Sequence, residues 1–176
     1  MEKRRVRVRL AEVGDAEFLP AVERSAGEVF RGAPGLEWIA DDEEQSEERH
    51  RAYAAAGTAW VVVDEADRPF GFLSAERFGE ELHIWELAVR QSDQGRGAGR
   101  ALLDASFSYA RQQGLAAVTL TTFRGLTWNE LLYARMGFKT LREEHLGERL
   151  AQVLTDEGAR GLPAERRCAM RLELGK

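Results

Sequence analysis

The residues best suited to chemistry lie mid-chain, in Gln94-Gly95-Arg96-Gly97-Ala98-Gly99. An apolar, strand-like stretch precedes them and an amphipathic, helix-like one follows. Glycines at such a junction let the backbone approach a diphosphate, and a helix N-terminus supplies unpaired N–H donors and the positive end of a dipole. Arg96 and Arg100 add charge and Gln94 a neutral donor. The segment reads as a phosphate-binding turn. Two rival readings fail on spacing. A P-loop ends in Gly-Lys-Ser/Thr, which this turn lacks. A dinucleotide fingerprint puts Gly-x-Gly-x-x-Gly at the first strand-to-helix turn, whereas these glycines alternate and fall in mid-chain. Taken alone, the turn also fits a surface loop that caps a helix.

The elements that must position this turn follow from periodicity. Val6, Val8 and Leu10 alternate as a strand over 6–10. Asp15 caps a helix running through Phe18, Leu19, Val22 and Val29, and Gly32 to Gly35 break it. Asp41 and Asp42 open a second helix, with Glu43, Glu44, Glu47 and Glu48 near its positive end, and Gly57 stops it. Stretches 60–63 and 70–75 form a hairpin, and Gly79 leads into a long strand over 82–89. After the glycine-rich turn, Ala101, Leu102, Ala105 and Tyr109 recur at helical spacing up to Gly114. A β-branched strand covers 118–122. A short helix starts at Thr127 with a capping box to Glu130 and stops at Gly137. Its apolar residues Trp128, Leu131, Leu132 and Met136 are expected to face the core, leaving Asn129 and Tyr133 together on another face. A strand over 138–141, a helix through Leu146, Leu150, Val153 and Leu154, and a last strand over 167–174 complete the chain. The order βααβββαβαβαβ implies a mixed α/β sheet, antiparallel first and with crossovers later, rather than a doubly wound one. No linker or repeat divides it, so a single domain over 1–176 is expected.

Composition narrows the partners. The chain is 44% hydrophobic and 31% charged, as in ordinary globular proteins, and its 176 residues can bury a sizeable core. A net charge of −5 argues against a nucleic-acid partner. Lys3, Arg4, Arg5, Arg7 and Arg9 have no apolar run behind them, so neither a signal peptide nor a membrane span is read. The lone Cys168 excludes an internal disulfide and points to a cytoplasmic location. His50, His83 and His145 lie far apart, and no metal is expected.

Glu86-Leu87-Ala88-Val89 followed by Gln94-Gly95-Arg96-Gly97-Ala98-Gly99-Arg100-Ala101-Leu102-Leu103 closely resembles the acetyl-CoA motif of the GNAT acetyltransferases, Gln/Arg-x-x-Gly-x-Gly/Ala after the fourth strand. Three further segments fit the same template in order. Arg9-Leu10-Ala11 with Asp15 resembles the opening strand and first helix, and Gly71-Phe72-Leu73 the third strand. Tyr133-Ala134-Arg135-Met136-Gly137-Phe138 resembles a Tyr-x-x-x-Gly-Phe signature. The resemblance covers residues from about 6 to 140. It implies a mixed, largely antiparallel central sheet flanked by helices, acetyl-CoA as co-substrate, and transfer to an amine.

Such a transfer must take a proton from an ammonium of pKa about 10.4, stabilise an oxyanion and release a thiolate. Glu86 interrupts the apolar side formed by Leu82, Ile84 and Ala88, which makes it the candidate base; water as proton carrier, a structural ion pair or a β-bulge are the alternatives. Tyr133 is the candidate acid, because a phenol of pKa about 10 can protonate a thiolate whose thiol has pKa about 8.5. The resemblance assigns Asn129 to the pantetheine arm, although many relatives carry that Asn further before the Tyr. It assigns the backbone of Leu87, Ala88 and Val89 to the pantetheine amides and the thioester carbonyl.

The acceptor is less constrained. Phe30, Trp38 and Asp41, with Asp42, could line an aromatic, acidic pocket for a cationic amine between the first two helices; packing and a solvated helix start are the competing readings. Arg124 could pair with an acceptor carboxylate or be a plain surface residue. A small-molecule amine is the expected acceptor, a protein or peptide the alternative, and a non-catalytic acyl-CoA-binding domain the third reading. The resemblance implies a homodimer as one assembly, to which the last strand could contribute.

Overall fold

The computed structural model describes residues 6–175. Lys3, Arg4 and Arg5 of the basic N-terminal stretch lie outside the described residues. The observed order is β1 (Arg7–Leu10), α1 (Leu19–Gly27), α2 (Glu47–Ala56), β2 (Ala59–Val63), β3 (Pro69–Phe78), β4 (Glu81–Val89), α3 (Ala98–Gln112), β5 (Ala117–Phe123), α4 (Glu130–Arg135), β6 (Lys139–Thr140), α5 (Gly147–Ala159) and β7 (Arg167–Glu173). It reproduces the order read from periodicity. The strands are hydrogen-bonded in the order β1-β2-β3-β4-β5-β7-β6. β4 and β5 are parallel; the pairs β1–β2, β2–β3, β5–β7 and β6–β7 are antiparallel. The chain is thus a mixed, mostly antiparallel sheet with flanking helices. No helix among the described residues is long and apolar enough to cross a membrane.

Two compact units divide the chain. The first runs up to Glu76 and resumes with Glu86–Tyr109; the second comprises Arg77–Trp85 and the residues from Ala110 onward.

In the first unit every residue of β2 is buried, as expected of a strand covered on both faces. Its register with β3 shifts between Val62 and Val63. Gly71 of β3 is required by close approach. A Cβ there would stand 2.7 Å from Val62 Cγ1 and 3.1 Å from the Ala88 carbonyl oxygen, so any side chain would force its neighbours on both flanking strands to shift. α3 buries Ala98, Leu102, Leu103, Ser106 and Phe107, whereas Ala101, Ala105 and Tyr109 flank that stripe. The predicted phase is therefore rotated by one position. Tyr109 instead meets the edge of Trp60 at 5.4 Å between ring centroids.

Several predicted helix starts move. Asp15 is not a helix cap: it is the third residue of a 3-10 turn, Val13–Glu17, whose N-cap is Glu12, and its carboxylate accepts the Glu12 N–H at 2.7 Å; α1 begins only at Leu19, with Pro20 in its first turn. Asp41 and Asp42 do not open α2. Asp41 ends a 3-10 turn, Glu37–Asp41, and the N-cap of α2 is Ser46, whose hydroxyl accepts from Arg49 N at 3.2 Å. A hydroxyl cap competes well with carboxylates for this position, and the acidic run ahead of it is left in the connector. Gly57 closes α2 with φ +72°, as predicted.

In the second unit the parallel ladder runs from Glu81↔Ala117 to Ile84↔Leu120, and β4 continues beyond it through Val89. β7 pairs along the full length of β5, from Ala117↔Glu173 to Phe123↔Arg167. Leu82, Ile84, Val118, Leu120 and Met170 are buried apolar residues of this unit. A polar group is buried beside them. His83 Nδ1 and Thr119 Oγ1 share a hydrogen bond of 2.9 Å, Arg149 donates to Thr119 Oγ1 at 3.0 Å and to Glu81 at 2.6 Å, and Arg171 also binds Glu81.

Candidate functional site

β4 delivers the chain to a short 3-10 turn, Gln91–Asp93, and then to the glycine-rich segment. Gly95 and Gly97 have φ of +74° and +87°, which disfavours side-chain-bearing residues there. These two positions turn the backbone onto the first residues of α3, whose leading N–H groups lack partners within the helix. Gly99 differs: it lies inside α3 at ordinary φ, and apart from its chain neighbours and the nearby backbone of α3 nothing lies within 4 Å of where its Cβ would stand. The missing side chain leaves that patch of backbone open to a ligand.

Side chains brace the turn. Gln94 Nε2 donates to the Val89 carbonyl at 2.9 Å, tying the end of β4 to the segment that follows. Gln94 was predicted as a ligand donor; one of its two N–H groups is used inside the protein. Asp93 accepts from Arg90 Nε at 2.6 Å and Ser92 Oγ at 3.0 Å, and Arg96 lies 3.6 Å from it. Burial pushes the Asp93 carboxyl up, but these donors and the two arginines outweigh it and hold it below the usual carboxylate range. The Arg96 and Arg100 side chains are exposed, each beside an acid of its own segment, Asp93 at 3.6 Å and Asp104 at 3.8 Å. Such loose surface pairs hold a guanidinium only weakly. The role of Asp93 was not predicted, although its i−3 and i+3 arginines were legible in the sequence.

Glu86 is the first β4 residue of the first unit and is half-buried, as are Leu87 and Val89, while Ala88 is buried. The same unit carries Phe30, Trp38 and Asp41 in the connector between α1 and α2. Asp41 accepts two hydrogen bonds from Arg31, at 2.8 and 3.2 Å, and Arg31 holds its carboxyl below the usual range. The acid predicted to face an amine thus already has a cationic partner. Trp38 is 40% exposed, more than a packing role requires.

Asn129, Tyr133 and Arg124 belong to the second unit. Here the prediction for α4 is corrected. The helix begins at Glu130, not Thr127, and the predicted capping box is absent: the Glu130 carboxylate accepts from Gly125 N and Thr140 Oγ1, both at 3.0 Å. Asn129 occupies the N-cap position, and its carbonyl accepts the Tyr133 N–H at 3.1 Å. The buried residue of α4 is Tyr133, 9% exposed and edge-on to Phe138 at 5.8 Å, whereas Trp128 and Leu131, predicted to face the core, are 36% and 47% exposed. Gly137 stops the helix with φ +97°, as predicted. Arg124 Nε donates to the Arg167 carbonyl at 3.1 Å, so part of its guanidinium serves the backbone.

Other reactive groups are held inert. Burial pushes the Cys168 thiol up to about 11, which removes it as a nucleophile at neutral pH. Among the described residues, no group of three or more His, Cys, Asp or Glu is placed to hold a metal ion.

Known proteins share this fold. The chain resembles the Thermoplasma acidophilum PaiA N-acetyltransferase in complex with coenzyme A, with a TM-score of 0.71 at 14% identity over 96% of this chain and 98% of that one. It resembles the ribosomal-protein-S18-alanine N-acetyltransferase of Escherichia coli, with a TM-score of 0.68 at 16% identity over 97% and 95% of the two chains. It also resembles the Neisseria gonorrhoeae N-acetylglutamate synthase complexed with coenzyme A and N-acetyl-glutamate, with a TM-score of 0.72 at 20% identity; there it spans 99% of its own length but 36% of the other chain. These likenesses concern the fold. At the level of sequence, residues 25–138, which include the glycine-rich turn, Glu86 and Tyr133, match the model of the Acetyltransferase (GNAT) family, and the chain belongs to that family.

Proposed function

We propose that this chain transfers the acetyl group of acetyl-CoA to a primary amine of a small molecule. The observation that carries the reading is the β4–α3 junction, where left-handed Gly95 and Gly97 lead onto a helix N-terminus and Gly99 leaves the backbone open. Gln94, Gly95, Arg96, Gly97, Ala98, Gly99 and Arg100 would hold the diphosphate of the co-substrate through backbone N–H groups, the helix dipole and two exposed guanidinium groups. The backbone of Leu87, Ala88 and Val89 would pair with the pantetheine amides as an added strand and donate to the thioester oxygen. The end of the β4–β5 ladder at Ile84, with β4 continuing to Val89, supports that assignment. Asn129 would bind the pantetheine arm.

In the reaction Glu86, directly or through water, takes a proton from the ammonium. The freed amine attacks the thioester carbonyl carbon and forms the C–N bond; the C–S bond then breaks, Tyr133 gives its phenolic proton to the departing thiolate, and the second proton that the nitrogen loses as the amide forms restores the phenol. The half-burial of Glu86 and the burial of Tyr133 support these roles, since shielding from bulk water strengthens proton transfer between fixed groups. On the acceptor side, exposed Trp38 with Phe30 suits an aromatic contact to an amine. The charge of Asp41 is offset by Arg31, and Arg124 keeps N–H groups besides the one it gives to Arg167.

The test is release of free thiol from acetyl-CoA across a panel of amines, amino acids and peptides. We expect release only when a small primary amine is present. Release with peptides alone would move the acceptor to the protein class. Cofactor binding without any release would make the chain a non-catalytic acyl-CoA-binding domain.

A further inference from the structure

We infer that the last turn of α1 couples the acceptor-side connector, residues 28–46, to the glycine-rich turn, with Ser25 as the positioning residue. Three consecutive side chains of that turn reach two segments, the end of the connector and the start of the 3-10 turn at Gln91. Glu23 Oε2 accepts from the Gln45 backbone N–H at 3.1 Å. Arg24 donates to both oxygens of Glu44, at 2.6 and 2.9 Å. Ser25 Oγ accepts from the Gln91 backbone N–H at 3.0 Å. Successive helix residues are about 100° apart, so such a trio fans out and can bind separate segments. Gly27 brings the end of α1 near the connector as well, since a Cβ built there would stand 3.9 Å from Ala40 Cα.

The Gln91 N–H is the first of its 3-10 turn and has no partner within that turn. Ser25 supplies one from 66 residues away. Beyond Gln91 the chain passes Asp93, already tied to Arg90 and Ser92, and reaches Gln94. On its other side α1 holds Glu44 and Gln45, the end of the connector that carries Phe30, Trp38 and Asp41. Ordering the glycine-rich turn therefore fixes the donor on Gln91, and through Ser25 the end of α1 and the connector it holds. Ser25 touches no reacting atom; it acts through α1. The inference rests on reading residues 94–99 as the acetyl-CoA turn.

The experiment measures amide hydrogen exchange over residues 28–46 with and without acetyl-CoA, alongside calorimetric affinity, in the full chain and its Ser25→Ala and Ser25→Thr variants. In the wild type, acetyl-CoA slows exchange of the connector at least about threefold, the scale of one hydrogen bond. Ser25→Ala binds acetyl-CoA within about threefold of wild type but loses the slowing, and Ser25→Thr restores it. Gln91→Pro removes the donor instead of the acceptor at a position that tolerates proline, and reproduces Ser25→Ala should that variant fold poorly. Undiminished slowing in both Ser25→Ala and Gln91→Pro overturns the coupling. So does acetyl-CoA binding that leaves wild-type connector exchange unchanged. Absence of acetyl-CoA binding to the wild type overturns the functional reading and the coupling with it.

Discussion

Gln94 and Val89, five residues apart, are joined by a 2.9 Å hydrogen bond from the Gln94 side-chain amide to the Val89 carbonyl. The bond closes a loop at the end of β4 and fixes where the glycine-rich turn begins. A side-chain-to-backbone bond of this kind contributes about 0.5–1.5 kcal/mol. Gln94→Ala is expected to weaken acetyl-CoA binding by roughly threefold to tenfold, measured by titration calorimetry. Unchanged affinity would show that the turn holds its shape without the bond.

The three glycines of the turn separate by backbone geometry. Gly97→Ala forces a Cβ into a left-handed residue and is expected to lower stability by about 1–2 kcal/mol. Gly99→Ala lies in helix with open space around it, so it is expected to raise stability by about 0.5–1 kcal/mol. Both substitutions should weaken acetyl-CoA binding. Thermal melts and calorimetry on the two variants check this, and a Gly99→Ala protein that is stabilised yet binds normally removes close backbone approach at that residue.

Glu86→Gln and Tyr133→Phe address the proton transfers. General acid or base groups contribute about 10²–10⁴-fold. Once an acceptor is in hand, Tyr133→Phe should lower kcat on that scale while leaving acetyl-CoA affinity within about threefold, because the ring that packs on Phe138 is retained. Glu86→Gln should remove the acidic limb of the kcat/KM profile. A Glu86→Gln enzyme with the wild-type profile and a lower melting temperature assigns that carboxylate to structure.

His83 makes stability depend on pH. Burial, with the nearby Arg149 charge, pushes its imidazole down to about 3. The unfolded value is about 6.5. The folded value is the depressed one, so the unfolded chain binds more protons between the two. Its contribution is fully present above pH 6.5 and is lost as pH falls toward 3, by at most about 1.4 kcal/mol per pH unit. His83→Gln should flatten the stability profile relative to wild type between about pH 6.5 and 5, above the carboxylate range. Denaturant melts across that window provide the measurement; parallel profiles would mean that His83 titrates normally in the folded chain.

The succession of strands and helices, the β2–β3 hairpin, the stops at Gly57 and Gly137 and the turn from Gln94 to Gly99 could all be read from the sequence. Each rests on local chemistry: side-chain period, glycine where φ is positive, and a helix opening behind a strand. What tertiary structure decided is of another kind. It chose Ser46 over Asp41 as the cap of α2, placed β7 between β5 and β6, and turned Tyr133 of α4 inward while Trp128 and Leu131 face solvent. A six-residue helix makes fewer than two turns, so its apolar spacing fits more than one phase, and contact with Phe138 selects among them. It also joined Ser25 to Gln91 and His83 to Thr119. Those partners lie 66 and 36 residues apart in the chain, a separation that no local period encodes.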